Sequence, residues 1–236
     1  TGSVVGSSQN GVPSADFKLD EHALFKGQLV ENNQYVNSKF IAERTIYEAI
    51  LQRGLRAKVM RVSNLAPRFD DGAVQINYET NNALCTLKAY KTLGQLSYDI
   101  MSIKMEYSPI DYVARAVLTL AKTPDDCICF NLMNDYIPYM GDVIMRLSSK
   151  IRLVEPEELE KEITKVLNDP KQADIMRPLL AYSSNKRDGD THMFGFDAID
   201  STYTSQILCR LGFRWPVIDG NYVERFAKKL EEKEFF

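Results

Sequence analysis

The chain has 236 residues, of which 44% are hydrophobic and 26% are charged, a composition typical of a soluble globular protein that buries a sizeable core. Its formal net charge of −3 gives no sign of a nucleic-acid or membrane surface. No apolar run reaches the roughly 18 residues that a membrane-spanning helix needs, and no secretion signal opens the chain. We therefore expect a cytoplasmic protein with neither nucleic-acid nor membrane partners.

The residues that commonly bind metals or form disulfides are few. Cys127 and Cys129 are one residue apart in an apolar run, which suits neither a C-x-x-C redox pair nor a zinc knuckle. We expect buried free thiols, as in a reducing cytoplasm. Because His22 and His192 have no companions at ligand spacing, the sequence predicts no metal site.

The first half of the chain predicts alternating strands and helices. The patterns predict the end of a buried strand over 1–6, a long polar loop over 7–33, a helix over 34–53 that Gly54 ends, and a strand over 58–62. A helix over 76–93, a strand over 105–108, a helix over 110–121 and a buried strand over 127–132 follow. This order predicts an α/β fold with a partial, Rossmann-like, doubly wound parallel sheet.

The second half predicts mostly helices, over 140–149, 157–167, 200–211 and 221–233. We therefore expect two domains, a Rossmann-like part over 1–135 and a helical substrate- or carrier-binding part over 136–236. The chain opens inside a predicted strand, so we expect the nucleotide-binding N-terminal half of the sheet to be missing. Exposed apolar sheet edges would then favour self-association.

The pair Tyr35 and Lys39 is the feature that points to chemistry. Residues four apart on a helix lie one above the other, so the Lys39 ammonium can lie close to the Tyr35 hydroxyl. A nearby positive charge favours the phenolate and lowers the pKa of a tyrosine. Such a phenol can act as a proton donor in carbonyl reduction, where charge develops on oxygen. A Tyr-x-x-x-Lys pattern also occurs by chance on many helices, so it depends on its context.

That context resembles the second half of the extended short-chain dehydrogenase/reductase pattern. In that pattern a Ser or Thr at a strand end precedes Tyr-x-x-x-Lys, and a later strand ends in Arg before a loop beneath the nicotinamide. Thr1 matches the hydroxyl position, with Ser3 as the fallback, and a cap or turn role for either is about as plausible locally. Arg61 matches the strand-end arginine.

Further motifs resemble the terminal thioester reductase domains of nonribosomal peptide synthetases. They are Ser63-Asn64-Leu65, Arg68, Asp71-Gly72, Gln75-Ile76-Asn77, Thr80-Asn81, the stretch 108–114 and the stretch 211–215. Carboxylic acid reductases and fatty acyl-CoA reductases are more distant relatives. Ser63 departs from the pattern, because relatives often carry Gly there, but it keeps a small side chain.

The resemblance implies a reaction and its residues. A carrier protein would present a peptidyl thioester on its phosphopantetheine arm, and NADPH would deliver hydride to the thioester carbon, releasing an aldehyde or, after a second hydride, an alcohol. Thr1 and Tyr35 would bind the developing oxyanion, and Lys39 would tune Tyr35 and contact the nicotinamide ribose. The expected cofactor contacts are Tyr35, Lys39, Val62, Ser63, Asn64 and Leu65.

The Gly-rich turn that binds a dinucleotide pyrophosphate is not found in the sequence. No glycine cluster follows a predicted strand and opens a helix, which is the context that this turn requires. We therefore expect this chain alone to be inactive. Two alternatives remain: an epimerase or dehydratase acting on a nucleotide sugar, and a non-catalytic module that docks a carrier protein.

Overall fold

The computed structural model describes residues 2–7, 17–31, 33–169, 172–184 and 196–236. Thr1 and His192, both singled out above, lie outside these residues. The helices are α1 (Gln34–Arg53), α2 (Asn82–Leu93), α3 (Tyr98–Met101), α4 (Ile110–Leu120), α5 (Met140–Leu147), α6 (Pro156–Leu167), α7 (Ala173–Ser184), α8 (Thr202–Arg210) and α9 (Gly220–Glu231). The strands are β1 (Val59–Val62), β2 (Leu65–Ala66), β3 (Gln95–Ser97), β4 (Ser108–Pro109), β5 (Cys129–Leu132) and β6 (Arg152–Val154).

The described residues form two compact units, each assembled from three stretches of the chain. Among the described residues, the first unit takes those within 2–65, 108–135 and 196–216, and the second those within 66–107, 136–184 and 217–236. The chain passes from the first unit to the second between residues 135 and 136, which is where the sequence predicts a domain boundary. The expectation of two consecutive domains, 1–135 and 136–236, stays a prediction.

The first unit is built around the parallel pair β1 and β5. The register places Val59 opposite Cys129 and Val62 opposite Leu132. Alternate side chains of a strand point to opposite faces, and one face of this pair packs on α4 and α8. The buried residues of this layer are Val113, Ala116, Leu120, Phe130, Leu132, Leu208 and Trp215. Parallel strands between helices confirm the predicted partial Rossmann-like α/β class.

The outer edge of β5 is occupied in part by a side chain. The Asn131 backbone N–H donates to Thr204 Oγ1 at 2.9 Å, so this position of the edge has a partner. A partnered edge is a weaker template for another strand. The expected self-association through an exposed sheet remains a prediction.

The start of the chain differs from its prediction. Gly2–Val5 form a 3₁₀ helix rather than the end of a strand, so the strand predicted over 1–6 is wrong. Val4 and Val5 are buried as a strand end would be, but Gly6 has a φ of 67° and turns the chain. Ser7 then pairs with Leu29 through two backbone hydrogen bonds of 2.9 and 2.8 Å.

The second unit combines helices with a short parallel pair. β3 and β6 pair from Gln95 opposite Arg152 to Ser97 opposite Val154, and neither strand was predicted. The helix α7 was also missed, and it carries Pro178 inside, a residue that normally argues against a helix. Within the range 105–108 only Ser108 joins a strand, and α2 begins at Asn82 rather than near 76.

Gly72 and Gly94 of the second unit provide a matched test of backbone packing. Both have positive φ, 72° and 67°, but a Cβ on Gly72 would lie 2.6 Å from backbone atoms of α9, whereas one on Gly94 would meet nothing within 4 Å. We expect Gly94→Ala to cost about 1–2 kcal/mol, the penalty of a left-handed residue. Gly72→Ala should cost a further 1–3 kcal/mol or so, as overpacking does. Urea denaturation of both variants measures the difference, and equal costs would contradict this packing.

Candidate functional site

The helix that carries Tyr35 and Lys39 begins where the sequence predicts it. Asn33 is its N-cap, and the Asn33 side-chain oxygen accepts hydrogen bonds from the backbone N–H of Tyr35 at 3.0 Å and of Val36 at 3.2 Å. Such a cap satisfies donors that have no partner within the helix. At the other end Gly54 adopts a left-handed conformation with φ of 65°, as a helix-ending glycine does. The sequence therefore fixes both ends of α1.

Tyr35 and Lys39 come together on the surface of α1. The Lys39 Nζ lies over the Tyr35 ring, 5.2 Å from its centroid, within the range of a cation–π contact. Tyr35 keeps 57% of its surface exposed. The spacing of four residues brings the ammonium to the ring, and its predicted proximity to the Tyr35 hydroxyl stays a prediction.

The expected hydroxyl partner is not located. Thr1 lies outside the described residues, and so does the side chain of Ser3. The described 3₁₀ turn Gly2–Val5, which follows Thr1 directly, packs against α1 and β1. The role of Thr1 therefore stays a prediction.

The residues Val62–Leu65 occupy the end of β1 and the connection that follows. The Ser63 N–H donates to Leu132 O at 3.1 Å, and Asn64 O accepts from the Ser108 N–H at 3.2 Å. These bonds hold the backbone of the loop at the carboxyl ends of β1 and β5. In open parallel sheets, ligands bind at this edge. The expected cofactor role of Val62–Leu65 remains a prediction.

A buried ion pair, which the sequence did not reveal, joins α1 to β1. Arg61 donates to Glu43 Oε1 from Nε at 2.9 Å and from a terminal nitrogen at 2.6 Å, with side-chain exposures of 1% and 4%. Burial is the largest single influence and works against the charged guanidinium, but the hydrogen bond to Glu43 and the nearby acidic groups together raise the pKa of Arg61. The one sign of this ion pair in the sequence is the acidic residue Glu43, which lies in the predicted helix four residues after Lys39.

The same guanidinium also binds the segment before α1. Arg61 donates to the carbonyl oxygens of Asp20 and Ala23, each at 2.8 Å. Glu43 of α1 contacts Arg61, the residue before the last of β1, so the ion pair joins the helix to the strand that leads into the loop Val62–Leu65.

A second buried polar network fixes the segment 17–31. Glu21 accepts from the Thr204 hydroxyl at 2.5 Å and from the Thr204 N–H at 3.0 Å. The Asn131 side-chain nitrogen donates to Leu19 O at 3.2 Å and to Asp200 O at 2.6 Å. Buried polar groups of this kind need partners, because an unsatisfied one is costly. The predicted polar loop is therefore partly a buried, hydrogen-bonded segment.

The described part of the chain offers neither a metal site nor a membrane-spanning helix. Within it, no group of three or more His, Cys, Asp or Glu residues could hold a metal ion. No helix within the same residues is long and apolar enough to cross a membrane. All four cysteines are free thiols, but of the four only Cys129 is buried, so the expected burial is wrong for the other three. Burial raises the pKa of the Cys129 thiol.

Comparison with known families and structures extends this picture. The NAD-binding family model described as Male sterility protein matches residues 5–117. No curated protein matches the chain. A thiolation-reductase di-domain from an archaeal non-ribosomal peptide synthetase is similar to the whole chain, with 33% identity and a TM-score of 0.84.

Two further solved structures share the fold at lower identity. The reductase domain of the aureusimine biosynthetic cluster has 22% identity and a TM-score of 0.79 over 98% of this chain. The terminal R domain from the myxalamid PKS-NRPS pathway has 18% identity and a TM-score of 0.77 over 100% of this chain. This chain spans 48% of the di-domain and 58% and 57% of these two structures.

The chain is therefore similar, over its full length, to a thiolation-reductase di-domain of a non-ribosomal peptide synthetase, and its residues 5–117 match an NAD-binding family model.

Proposed function

We propose that this chain forms part of an NADPH-dependent reductase that releases a carrier-bound peptidyl or acyl thioester as an aldehyde or an alcohol. The observation that carries the proposal is the exposed Tyr35 with Lys39 over its ring. This pair stands in a chain that is 33% identical, over its full length, to a thiolation-reductase di-domain. Reduction of a thioester needs a proton donor near the carbonyl oxygen, and the pair supplies one.

Each residue of the pair has a separate role in the proposal. The Tyr35 hydroxyl donates a hydrogen bond, and then a proton, to the substrate oxygen as negative charge develops there. The Lys39 ammonium lies over the ring of that phenol, 5.2 Å from its centroid, where it orients the phenol and contacts the nicotinamide ribose. Thr1 is proposed as a second donor to the same oxygen.

The cofactor in this proposal is a nicotinamide dinucleotide, specifically NADPH, which supplies the hydride. The residues present fit its nicotinamide end: Tyr35 and Lys39 are exposed, and Val62–Leu65 lie at the carboxyl edge of β1. The sequence contains no Gly-rich turn for the pyrophosphate. The fit is therefore to one end of the cofactor.

The proposed partner is a carrier protein that presents the acyl group on a phosphopantetheine arm. Support comes from the similarity to a di-domain that joins a thiolation domain to a reductase. The nucleotide-sugar epimerase or dehydratase has less support, because the full-length similarity at 33% identity is to that di-domain. The other alternative, a non-catalytic module that docks a carrier protein, predicts no turnover of the thioester.

The first test removes the proton donor. In a protein that joins this chain to a dinucleotide-binding segment, Tyr35→Phe should lower thioester turnover by about 10²–10⁴-fold, the span for losing a general acid. Substrate binding should change little, because the ring remains. Lys39→Ala should lower both turnover and NADPH affinity, because Lys39 has both roles.

A matched control uses another exposed tyrosine. Tyr98 is 54% exposed and lies in the second unit, so Tyr98→Phe makes the same chemical change elsewhere and should leave turnover within about twofold of wild type. Product formation from a carrier-bound acyl thioester is the measurement. Near-normal turnover by Tyr35→Phe would exclude Tyr35 from the mechanism.

The second test concerns the 236-residue chain by itself, which we expect not to bind NADPH measurably. A dinucleotide owes much of its affinity to pyrophosphate contacts with helix-terminal N–H groups and basic side chains. Contacts to the nicotinamide end are a few hydrogen bonds of about 0.5–1.5 kcal/mol each, less than the freedom lost on association. Calorimetric titration decides, and saturable binding at low micromolar NADPH would refute the expectation.

A further inference from the structure

The buried pair of Glu43 and Arg61 lies between the two parts of the proposed site. Glu43 is on α1, four residues after Lys39, and Arg61 is on β1, immediately before Val62. Their side chains are 4% and 1% exposed, so neither can contact a substrate. A buried charge is retained only where it is paired and hydrogen-bonded, and this pair has both properties.

We propose that Glu43 and Arg61 are positioning residues that hold the Tyr35–Lys39 pair in register with the loop Val62–Leu65. The inference rests on the proposed function for the roles of Tyr35 and Lys39. The ion pair fixes α1 relative to β1, and with it the distance between the proton donor on the helix and the loop at the strand end.

Besides the ion pair, a ring contact between Phe25 and Phe40, with centroids 6.2 Å apart, reaches the first half of α1. The buried residues of α1 are Val36, Glu43 and Ala49, so between Asn33 and the middle of the helix only Val36 and Glu43 are buried. Val36 makes an apolar contact, which is not directional, whereas a hydrogen-bonded ion pair fixes both distance and orientation. Glu43 is therefore the buried polar residue that gives the first half of α1 a directional link to β1.

Arg61 is suited to this role by the shape of its guanidinium. Its nitrogens donate to Glu43 on α1 and to the carbonyl oxygens of Asp20 and Ala23. One planar group of β1 thus binds both α1 and the segment 17–31. Lysine has the same charge but a single compact ammonium, and it cannot reproduce this fork. Arg61→Lys thus separates the geometry of the group from its charge.

The first arm of the test uses the 236-residue chain and needs no cofactor. Ring-¹³C-labelled tyrosine gives a resonance for Tyr35, assigned by its loss in Tyr35→Phe, and Lys39→Ala gives the resonance of a Tyr35 without the ammonium. We expect Glu43→Gln and Arg61→Lys to move the Tyr35 resonance to a position different from that in Lys39→Ala, because the Tyr35–Lys39 proximity is set within α1 and only the register against Val62–Leu65 is lost. If Glu43→Gln does not fold, Glu43→Asp, which keeps the charge and shortens the side chain, takes its place.

Leu120→Ala is the matched control for a general loss of stability. Leu120 of α4 is buried in the apolar cluster on which Met60 and Val62 pack, and Arg61, which lies between those two residues, points to the opposite face of β1. Its truncation should lower the thermal midpoint and leave the Tyr35 resonance in place. If Leu120→Ala moves that resonance as far as Glu43→Gln does, the ion pair has a structural role only and the proposal is overturned.

The second arm measures kinetics in a protein that joins this chain to a dinucleotide-binding segment. Per folded molecule, Glu43→Gln and Arg61→Lys should lower kcat by roughly 10–100-fold, as small misplacements of a catalytic group do. The KM for the thioester should change less, and Leu120→Ala should keep kcat within about twofold. An unmoved Tyr35 resonance together with an unchanged kcat in folded Glu43→Gln and Arg61→Lys would overturn the proposal. Absence of turnover in the wild type would instead refute the proposed function, and the resonances would still decide whether the pair positions Tyr35.

Discussion

The first unit depends on the ion pair between Arg61 and Glu43. Two charges in the interior are stable only because each satisfies the other, and removal of one partner from such a pair costs roughly 3–5 kcal/mol. That is a large share of the 5–15 kcal/mol or so by which a domain is stable. The pair links the middle of α1 to the end of β1, so the packing of the helix and the placement of its exposed end have the same cause.

The segment 17–31 is the other element that this interaction fixes. Its carbonyl groups at Asp20 and Ala23 accept hydrogen bonds from Arg61. Its Glu21 carboxylate accepts a hydrogen bond from the hydroxyl of Thr204, a residue of α8. Long loops in compact domains are commonly functional or mobile, but this one has buried polar anchors on both sides. It ends two residues before Asn33, whose side chain caps α1.

The elements that the sequence predicted correctly are those formed by residues close to one another in the chain. The apolar spacing of α1, its end at Gly54 and the strand after it are formed by residues near one another in sequence, and the proximity of Tyr35 and Lys39 follows from helix geometry alone. The pairing of Glu43 with Arg61 was not predictable in this way, because charges 18 residues apart meet only through the tertiary fold. The strand predicted at the start of the chain was wrong for a related reason. A short apolar run has the same pattern in a buried strand as in a buried turn.

The central claim is that Tyr35 and Lys39 serve a reduction, and the fate of the acyl carbon tests it most directly. A carrier-bound acyl thioester is incubated with NADPH carrying deuterium at the transferred position and with a protein that joins this chain to a dinucleotide-binding segment. The account predicts a released aldehyde with one deuterium on its former thioester carbon, or an alcohol with two, and little of either with Tyr35→Phe. Release of the unlabelled carboxylic acid, with NADPH unconsumed, would contradict the account, because the thioester would then have been hydrolysed.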